Sequence, residues 1–372
     1  MKKVLAIAPY SYLPYFSGGQ KFIALFFEHL GNEVDLTVIS VEENDFSLAK
    51  NYKTIPLLKK SFSRYLDINL AAKIVSLVKK ENYDAIIWEH PYYAWLAYKV
   101  KRQTAITTIL HSHNIEYQRF RTLGKWWWPI LKVYEKWFSQ FADFIFYITA
   151  IDKKFAVEHW NVPVRKAIDV PFGIEIDQYP RDRENCKLLL RTKHAISEDE
   201  TILLFNGSLD YKPNLDALIV ILKQINPILL SHKSFKYKIL ICGKGLPGEL
   251  NELKEYKNEN IIYTGFVNDI ETYFKGADLF LNPVQAGGGI KTKMVEAIGF
   301  GTTVVATSSG AIGIEPELCA GKLIVVEDGN WNVFGRAVIE YARLEHVTPH
   351  EYYNYYYYRN IVKNIMTVLN RN

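Results

Sequence analysis

Residues 278–307 read "DLFLNPVQAGGGIKTKMVEAIGFGTTVVAT", and their pattern decides the fold. Residues 279–281 and 302–305 are apolar, partly β-branched runs of the kind found in parallel strands buried on both faces. Between them Gly287, Gly288 and Gly289 free the backbone, and without Cβ atoms there a ligand can come close to the amides. A helix is predicted from Lys291 or Thr292. Its unpaired N–H groups and its dipole favour an anion, most naturally a phosphate, and Lys291 and Lys293 add positive charge. Glu296 stands four residues after Thr292 and three after Lys293, on the same helix face. A carboxylate one turn behind a phosphate site can accept hydrogen bonds from two ribose hydroxyls. An ordinary strand-to-helix turn with a Lys293–Glu296 surface pair fits the same spacing.

Outward from this segment, strand and helix alternate. Strands are predicted at 4–9, 34–40, 85–88, 104–110 and 144–149, with helices at 20–30, 70–81 and 126–141. The second half repeats the rhythm, with strands at 202–205, 237–242, 261–264, 279–281, 303–306 and 323–326 and helices at 215–229, 270–274 and 294–298. Such alternation argues for parallel sheets in two doubly wound units, and 372 residues with 49% hydrophobic side chains suffice for two cores. Pro, Gly and charges interrupt the pattern at 170–186, which is the expected linker. A tyrosine-rich run, 352–358, precedes an apolar-periodic helix at 361–369.

Composition narrows the function classes. Cys186, Cys242 and Cys319 lie far apart, with neither zinc spacing nor a disulfide framework, as expected of a reducing compartment. The apolar run after Met1 is short and lacks a small-residue cleavage site, so a first strand is expected rather than a signal peptide. No run approaches the roughly 20 apolar residues of a membrane span. Residues 1–170 hold 23 Lys+Arg against 16 Asp+Glu, whereas the remainder holds 22 against 24. The basic first half suggests an anionic partner or a membrane surface. Residues 124–137, "GKWWWPILKVYEKW", mix lysines with tryptophans. They fit either an interfacial helix with its rings at headgroup level or a helix whose aromatics face a core.

The segment "GGGIKTKMVEAIGFGTTVVA" resembles the donor-binding signature of glycosyltransferase family 4. Further stretches resemble that family in the same order along nearly the whole chain: "HNIEYQRFRTLGKWWWPILKVYEKWFSQFADFIFYIT", "NGSLDYKPNLDAL", "ILICGKG" and "YTGFVNDIETYFKGADLFLNP". The family's usual pattern is Glu-x7-Glu. Glu296 matches the second acid, while Gly288 stands where the first would be; branches reading "GxGIKxKxLEA" match better. The resemblance implies a GT-B fold of two Rossmann-like domains facing a cleft, 1–172 with the final helix of 352–372 crossing back onto it, and 173–351. It implies a retaining transferase that takes a sugar from a UDP- or GDP-linked donor to a glycan or lipid-linked acceptor, without cofactor or essential metal. The basic first half, the segment 124–137 and the lack of a spanning run place the expected work in the cytoplasm, peripheral to the inner face of the cell membrane. No nucleic-acid partner is implied.

Onto this sequence the resemblance carries the following roles. Gly287, Gly288, Gly289, Ile290 and Lys293 would hold the diphosphate, and Glu296 the ribose. The backbone at 264–267, with Gly265, Phe266 and Val267, would flank the base, and Gly243 would lie beside the diphosphate. Ser208, placed with the donor, stands where many members carry an Arg, so half of an Arg/Lys clamp is missing. Gly18 and Gly19 would form a loop near the transferred group, although a simple helix-start turn fits them too. Lys212, with Lys291 or Lys293, would stabilise the leaving group, and His113 of "HSHN" would sit near the donor sugar. His111 and His113 also invite a metal reading, for which spacing offers no third ligand. "GKGLPG", 243–248, matches the G-x-G-x-x-G dinucleotide pattern, but it contains Pro247 and is followed by no acidic strand end. Two other functions stay open: a GT-B epimerase or hydrolase acting on the donor alone, and a non-catalytic nucleotide-sugar binder. A nicotinamide-dependent dehydrogenase is more distant.

Overall fold

The computed structural model describes residues 1–344 and 346–371. The chain divides into two compact units, unit 1 (Met1–Gly173 with Tyr358–Asn372) and unit 2 (Ile174–Tyr357). Unit 1 contains β1 (Lys3–Ile7), α1 (Gly18–Leu30), β2 (Asp35–Val41), β3 (Lys53–Leu58), α2 (Asn69–Glu81), β4 (Ala85–Glu89), α3 (Ala94–Thr104), β5 (Thr107–Ser112), α4 (Glu116–Thr122), α5 (Trp128–Phe141), β6 (Phe144–Tyr147), α6 (Ala150–Trp160) and β7 (Ala167–Asp169). Unit 2 contains α7 (Arg183–His194), β8 (Thr201–Asn206), α8 (Lys212–Val220), α9 (Asn226–Ser231), β9 (Tyr237–Cys242), β10 (Ile261–Gly265), α10 (Ile270–Gly276), β11 (Leu279–Asn282), α11 (Thr292–Gly299), β12 (Thr303–Thr307), β13 (Leu323–Val326), α12 (Trp331–Tyr341) and α13 (His350–Tyr356). The last helix, α14 (Tyr358–Leu369), belongs to unit 1.

Both sheets are parallel and doubly wound. Their orders are β3-β2-β1-β4-β5-β6-β7 and β10-β9-β8-β11-β12-β13. The central strands are buried on both faces, which explains why Val4–Ile7, Ala85–Glu89 and Leu279–Asn282 read as continuous rather than alternating apolar runs. In each sheet the chain order reverses once, between β1 and β4 and between β8 and β11. At such a reversal the loops beyond the C-terminal strand ends part and leave a crevice.

Several expectations are corrected. Residues 352–357 belong to unit 2, because the Tyr352 hydroxyl donates to the Val295 carbonyl (2.8 Å) and that of Tyr353 to Gly299 (2.7 Å). The final helix proper joins unit 1, where Tyr358 stacks on His29 with centroids 4.6 Å apart. The expected linker overlaps α7, a mostly polar helix that buries only Cys186 and Leu190. The helix at Lys212–Ser231 is long and apolar enough to cross a membrane by composition, yet Ala217, Leu218, Ile221, Leu222, Ile225 and Leu229 lie in the unit 2 core. Trp127 and Trp128 are half-buried against the unit 1 core, and only Trp126 of the three projects outward.

Candidate active site

In unit 2 the crevice at the β8/β11 reversal is built by the loop after β8, the glycine loop after β11 and the start of α11. Gly287 and Gly289 adopt left-handed backbone, with φ of +90° and +72°. A Cβ on Gly287 would lie 3.2 Å from the Tyr211 hydroxyl, so the two loops touch. Lys291 precedes α11 and folds back, donating to the carbonyls of Gly287 (2.8 Å) and Gly289 (3.0 Å). Lys293 reaches across to β8, donating to the Asn206 carbonyl (3.0 Å) and to Asn214 Oδ1 (3.1 Å). Its ammonium stands 5.0 Å from the Phe205 ring centroid. Among the described ion pairs none includes Lys291 or Lys293. Burial pushes Lys291 down to about 8. Burial, and then the neighbouring Lys291, push Lys293 down to about 7. Two lysine amines are thus partly withdrawn from water and bonded to neutral oxygens, an arrangement in which an incoming anion would favour their charged form.

The other candidate residues of unit 2 lie on the loops and helices at this end of the sheet. Gly207, Gly243 and Gly265 stand at or just beyond the C-terminal ends of adjacent strands, where Gly207 N–H donates to the Cys242 carbonyl (3.1 Å) and Gly243 N–H to that of Gly265 (2.8 Å). A Cβ on Gly243 would fall 2.0 Å from the Gly207 carbonyl oxygen, so no side chain fits there. Gly265 has φ of +69° and faces open space; Phe266 beside it is exposed and Val267 half-buried. Ser208 donates to Asp210 (2.6 Å), a carboxylate at the mouth that the sequence did not single out. Ile290 lies half-buried between the glycines and Lys291. Glu296 lies one turn into α11, partly buried, where its charge helps to raise the Tyr352 phenol after burial and two neighbouring phenols and a thiol. Lys212 opens α8 but is exposed, and both carboxylate oxygens of Asp216 accept from it (2.8 and 2.9 Å). The structure therefore brings together the glycine loop, Lys291, Lys293 and the ends of β8 to β10, and engages Lys212 elsewhere. The "GKGLPG" segment leads into 3-10 turns interrupted by left-handed Asn251, Glu252 and Leu253, not into an α-helix whose N-terminus could hold a pyrophosphate.

In unit 1 the β1/β4 reversal gathers a polar cluster. Gly18 and Gly19 open α1, whose N-cap Ser17 and Gln20 form a capping box, and a Cβ on Gly19 would meet nothing within 4 Å. Glu89, at the end of β4, accepts from His111 Nδ1 (3.0 Å) and His113 Nε2 (2.6 Å), and all three are buried. Burial alone would raise Glu89, but the two imidazoles hold it down at about 2. Burial lowers His113, against the opposing pull of Glu89. An ionised Glu89 accepting the hydrogen bond of Nε2–H fixes the tautomer and leaves Nδ1 of the neutral His113 ring as an acceptor. A second set adjoins it: His90 bonds the Tyr10 hydroxyl (2.7 Å) and lies 3.3 Å from Glu116, which also accepts from Tyr92 (2.8 Å) and Arg119 (3.2 Å). Glu135 accepts from the first N–H groups of α4, at 2.9 and 3.0 Å. The potential ligand atoms of Glu89, His111 and His113 lie within 4.8 Å of one another, so Glu89 is the third metal-type group that sequence spacing did not reveal. Sequence reading missed Glu89, His90 and Glu135; the signal available was an acid and a histidine, "WEHP", ending a buried strand.

Comparison with known proteins gives matches on both units. A curated Klebsiella pneumoniae protein described as an uncharacterized 44.6 kDa protein in the cps region is 24% identical over 383 residues, with 92% of each chain covered. A glycosyltransferase from Rickettsia africae superposes with a TM-score of 0.73 at 15% identity, covering 100% of this chain and 98% of that one. Anabaena HepE, in complex with UDP and glucose, superposes with a TM-score of 0.70 at 15% identity, covering 100% of both chains. Residues 16–178 match the family model described as Glycosyltransferase Family 4, and residues 200–343 match that described as Glycosyl transferases group 1. With a glycosyltransferase match on each unit and two doubly wound sheets of the GT-B kind, the chain belongs to glycosyltransferase family 4 and is an enzyme of the sugar-transferring class.

Proposed function

We propose that the protein is a retaining glycosyltransferase that moves a sugar from a UDP- or GDP-linked donor to a glycan or lipid-linked acceptor. The observation that carries this reading is the pair Lys291 and Lys293, desolvated at the start of α11 and bonded only to neutral oxygens. A diphosphate is the ligand such a pair suits, with the first N–H groups of α11 completing its cradle. We assign the ribose to Glu296, the base to the segment Gly265–Val267, and the acceptor side of the reaction to unit 1. The UDP and glucose bound in the HepE structure support a nucleotide and a sugar as ligands of this fold.

In the reaction the acceptor oxygen attacks the anomeric carbon from the face that the diphosphate leaves. The new C–O bond forms as the bond to phosphate breaks, and the departing diphosphate takes the acceptor's proton. Charge grows on the diphosphate in the transition state, so the two lysines act more strongly there than on the bound donor. We assign His113, its tautomer set by Glu89, to hydrogen bonding with a sugar hydroxyl through Nδ1. The test is a thermal-shift screen with UDP, GDP and their sugars, followed by donor turnover with and without acceptor. Stabilisation by a nucleoside diphosphate that Lys293→Met diminishes supports the site. Turnover that proceeds equally without acceptor would make the enzyme a donor hydrolase or epimerase instead.

A further inference from the structure

On unit 1, away from the β1/β4 crevice, a groove of about 670 Å³ opens at the N-terminal ends of β5 and β6. Its walls carry five cations, Lys101, Arg102, Arg165, Lys166 and Arg371, against one acid, Asp143. Asp143 is already occupied by Lys101 and by the Thr108 N–H, and Lys166 donates to the Ala142 carbonyl (2.8 Å). The three arginines enter none of the described ion pairs. The groove therefore presents guanidinium forks of the kind that hold phosphate oxygens.

This groove runs into an apolar stripe. Tyr98, on its wall, lies 5.1 Å from the Trp137 ring and 5.3 Å from Phe141. From Trp137 the spacing 126, 130, 133, 137 follows one face of α5 and its lead-in. Trp126, Ile130 and Val133 are exposed by 82%, 66% and 70%. Between residues 119 and 141 the only acid is Glu135, which is fully buried, while Arg121, Lys125 and Lys132 are exposed. Exposed apolar side chains flanked by charge of a single sign suit an anionic bilayer, whose acyl boundary takes the apolar groups while its headgroup phosphates meet the cations.

We propose that this face of unit 1 docks on an anionic phospholipid membrane, with the α5 stripe in the interface and a lipid headgroup phosphate in the arginine groove. It gives the lipid-linked acceptor named above a place of encounter, and only in that respect does it rest on that reading. The test is cosedimentation of the full chain with vesicles of phosphatidylcholine alone and of phosphatidylcholine mixed with phosphatidylglycerol. Binding is expected only to the mixed vesicles, and reversal at high salt. Arg102→Ala and Arg165→Ala should each weaken it about fivefold, and Ile130→Ser should weaken it in a way that salt does not mimic. All three variants should keep the thermal shift with a nucleoside diphosphate, so loss of docking and loss of the donor site read separately. Equal binding to both vesicle types, or arginine variants that bind like the wild type, would overturn the proposal. Inorganic phosphate stabilising the protein through Arg102 and Arg165 without vesicle binding would identify a soluble phosphate ligand and overturn it equally.

Discussion

Binding of a nucleoside diphosphate should draw protons from solution, and the amount follows from two side chains. Lys293 rests at about 7 and Lys291 at about 8. Accessible surface leaves Lys293 half-buried, but the charge is at its tip, which Phe205, Asn206 and Asn214 enclose, and enclosure of the tip governs the shift. A bound diphosphate would return both ammonium groups towards the ordinary value near 10.4. At pH 8 the free protein holds roughly a tenth of a proton on Lys293 and half on Lys291, so binding takes up about 1.4 protons in all. The sign follows: affinity is full below the free-state values and falls as pH rises through 7 to 9, because the lysines must then be recharged. The nucleotide's own phosphates, with a second pKa near 6, are already ionised at pH 8 and add nothing. Calorimetric titration in two buffers of different ionisation heat measures the uptake directly. Lys293→Met should reduce it to about half a proton and weaken binding by roughly 1–3 kcal/mol. Tight binding by the wild-type protein with uptake below about 0.2 proton at pH 8 would refute the placement of the diphosphate on these lysines.

Other outcomes follow from the same geometry. Glu296→Ala should weaken nucleoside diphosphate binding by roughly 1–3 kcal/mol in a folded protein, and isothermal titration reads the loss. Lys212→Ala should reduce kcat more than it raises the donor KM if the lysine leaves Asp216 to act on the leaving group; if it remains in its surface pair, steady-state kinetics will be unchanged and stability will shift by less than about 1 kcal/mol. Glu89 is held well below its ordinary value by His111 and His113, so its contribution to stability is present above about pH 4.5 and lost as pH falls towards 2. Glu89→Gln should flatten acid denaturation across that window while lowering kcat through misorientation of His113. Gly243→Ala places a methyl 2.0 Å from the Gly207 carbonyl, and a thermal melt should show a loss of at least about 2 kcal/mol.

What the sequence disclosed depended on how local each signal was. The glycine loop, Lys291, Lys293 and Glu296 lie within ten residues of one another, so spacing alone put them on one turn and one helix face. The cluster of Glu89, His90, His111 and His113 joins the ends of separate strands, and only the sheet order brings those together. Strand β3 was hidden because "KTIPLL" carries Pro56 and a leading lysine, which an edge strand tolerates and a central one does not. Helix α7 was hidden because its charges resemble those of a linker. The tryptophans at 126–128 looked equivalent, yet Trp127 packs on Phe120 (4.5 Å) and Trp128 beneath Arg121 (5.2 Å), leaving Trp126 alone outside.

The return of α14 to unit 1 sets the order in which the chain can mature during synthesis. Unit 2 is one continuous segment and is complete once residue 357 has left the ribosome. Unit 1 is made first but cannot close: Gly173 is built to carry the ring of Tyr358, which would stand 2.5 Å from any Cβ there, and α1 awaits α14. The nascent amino-terminal half must therefore persist with an uncovered helix face while nearly 200 further residues are added. A chain cut after residue 357 would release a finished unit 2 joined to a unit 1 still exposing that face to chaperones and proteases.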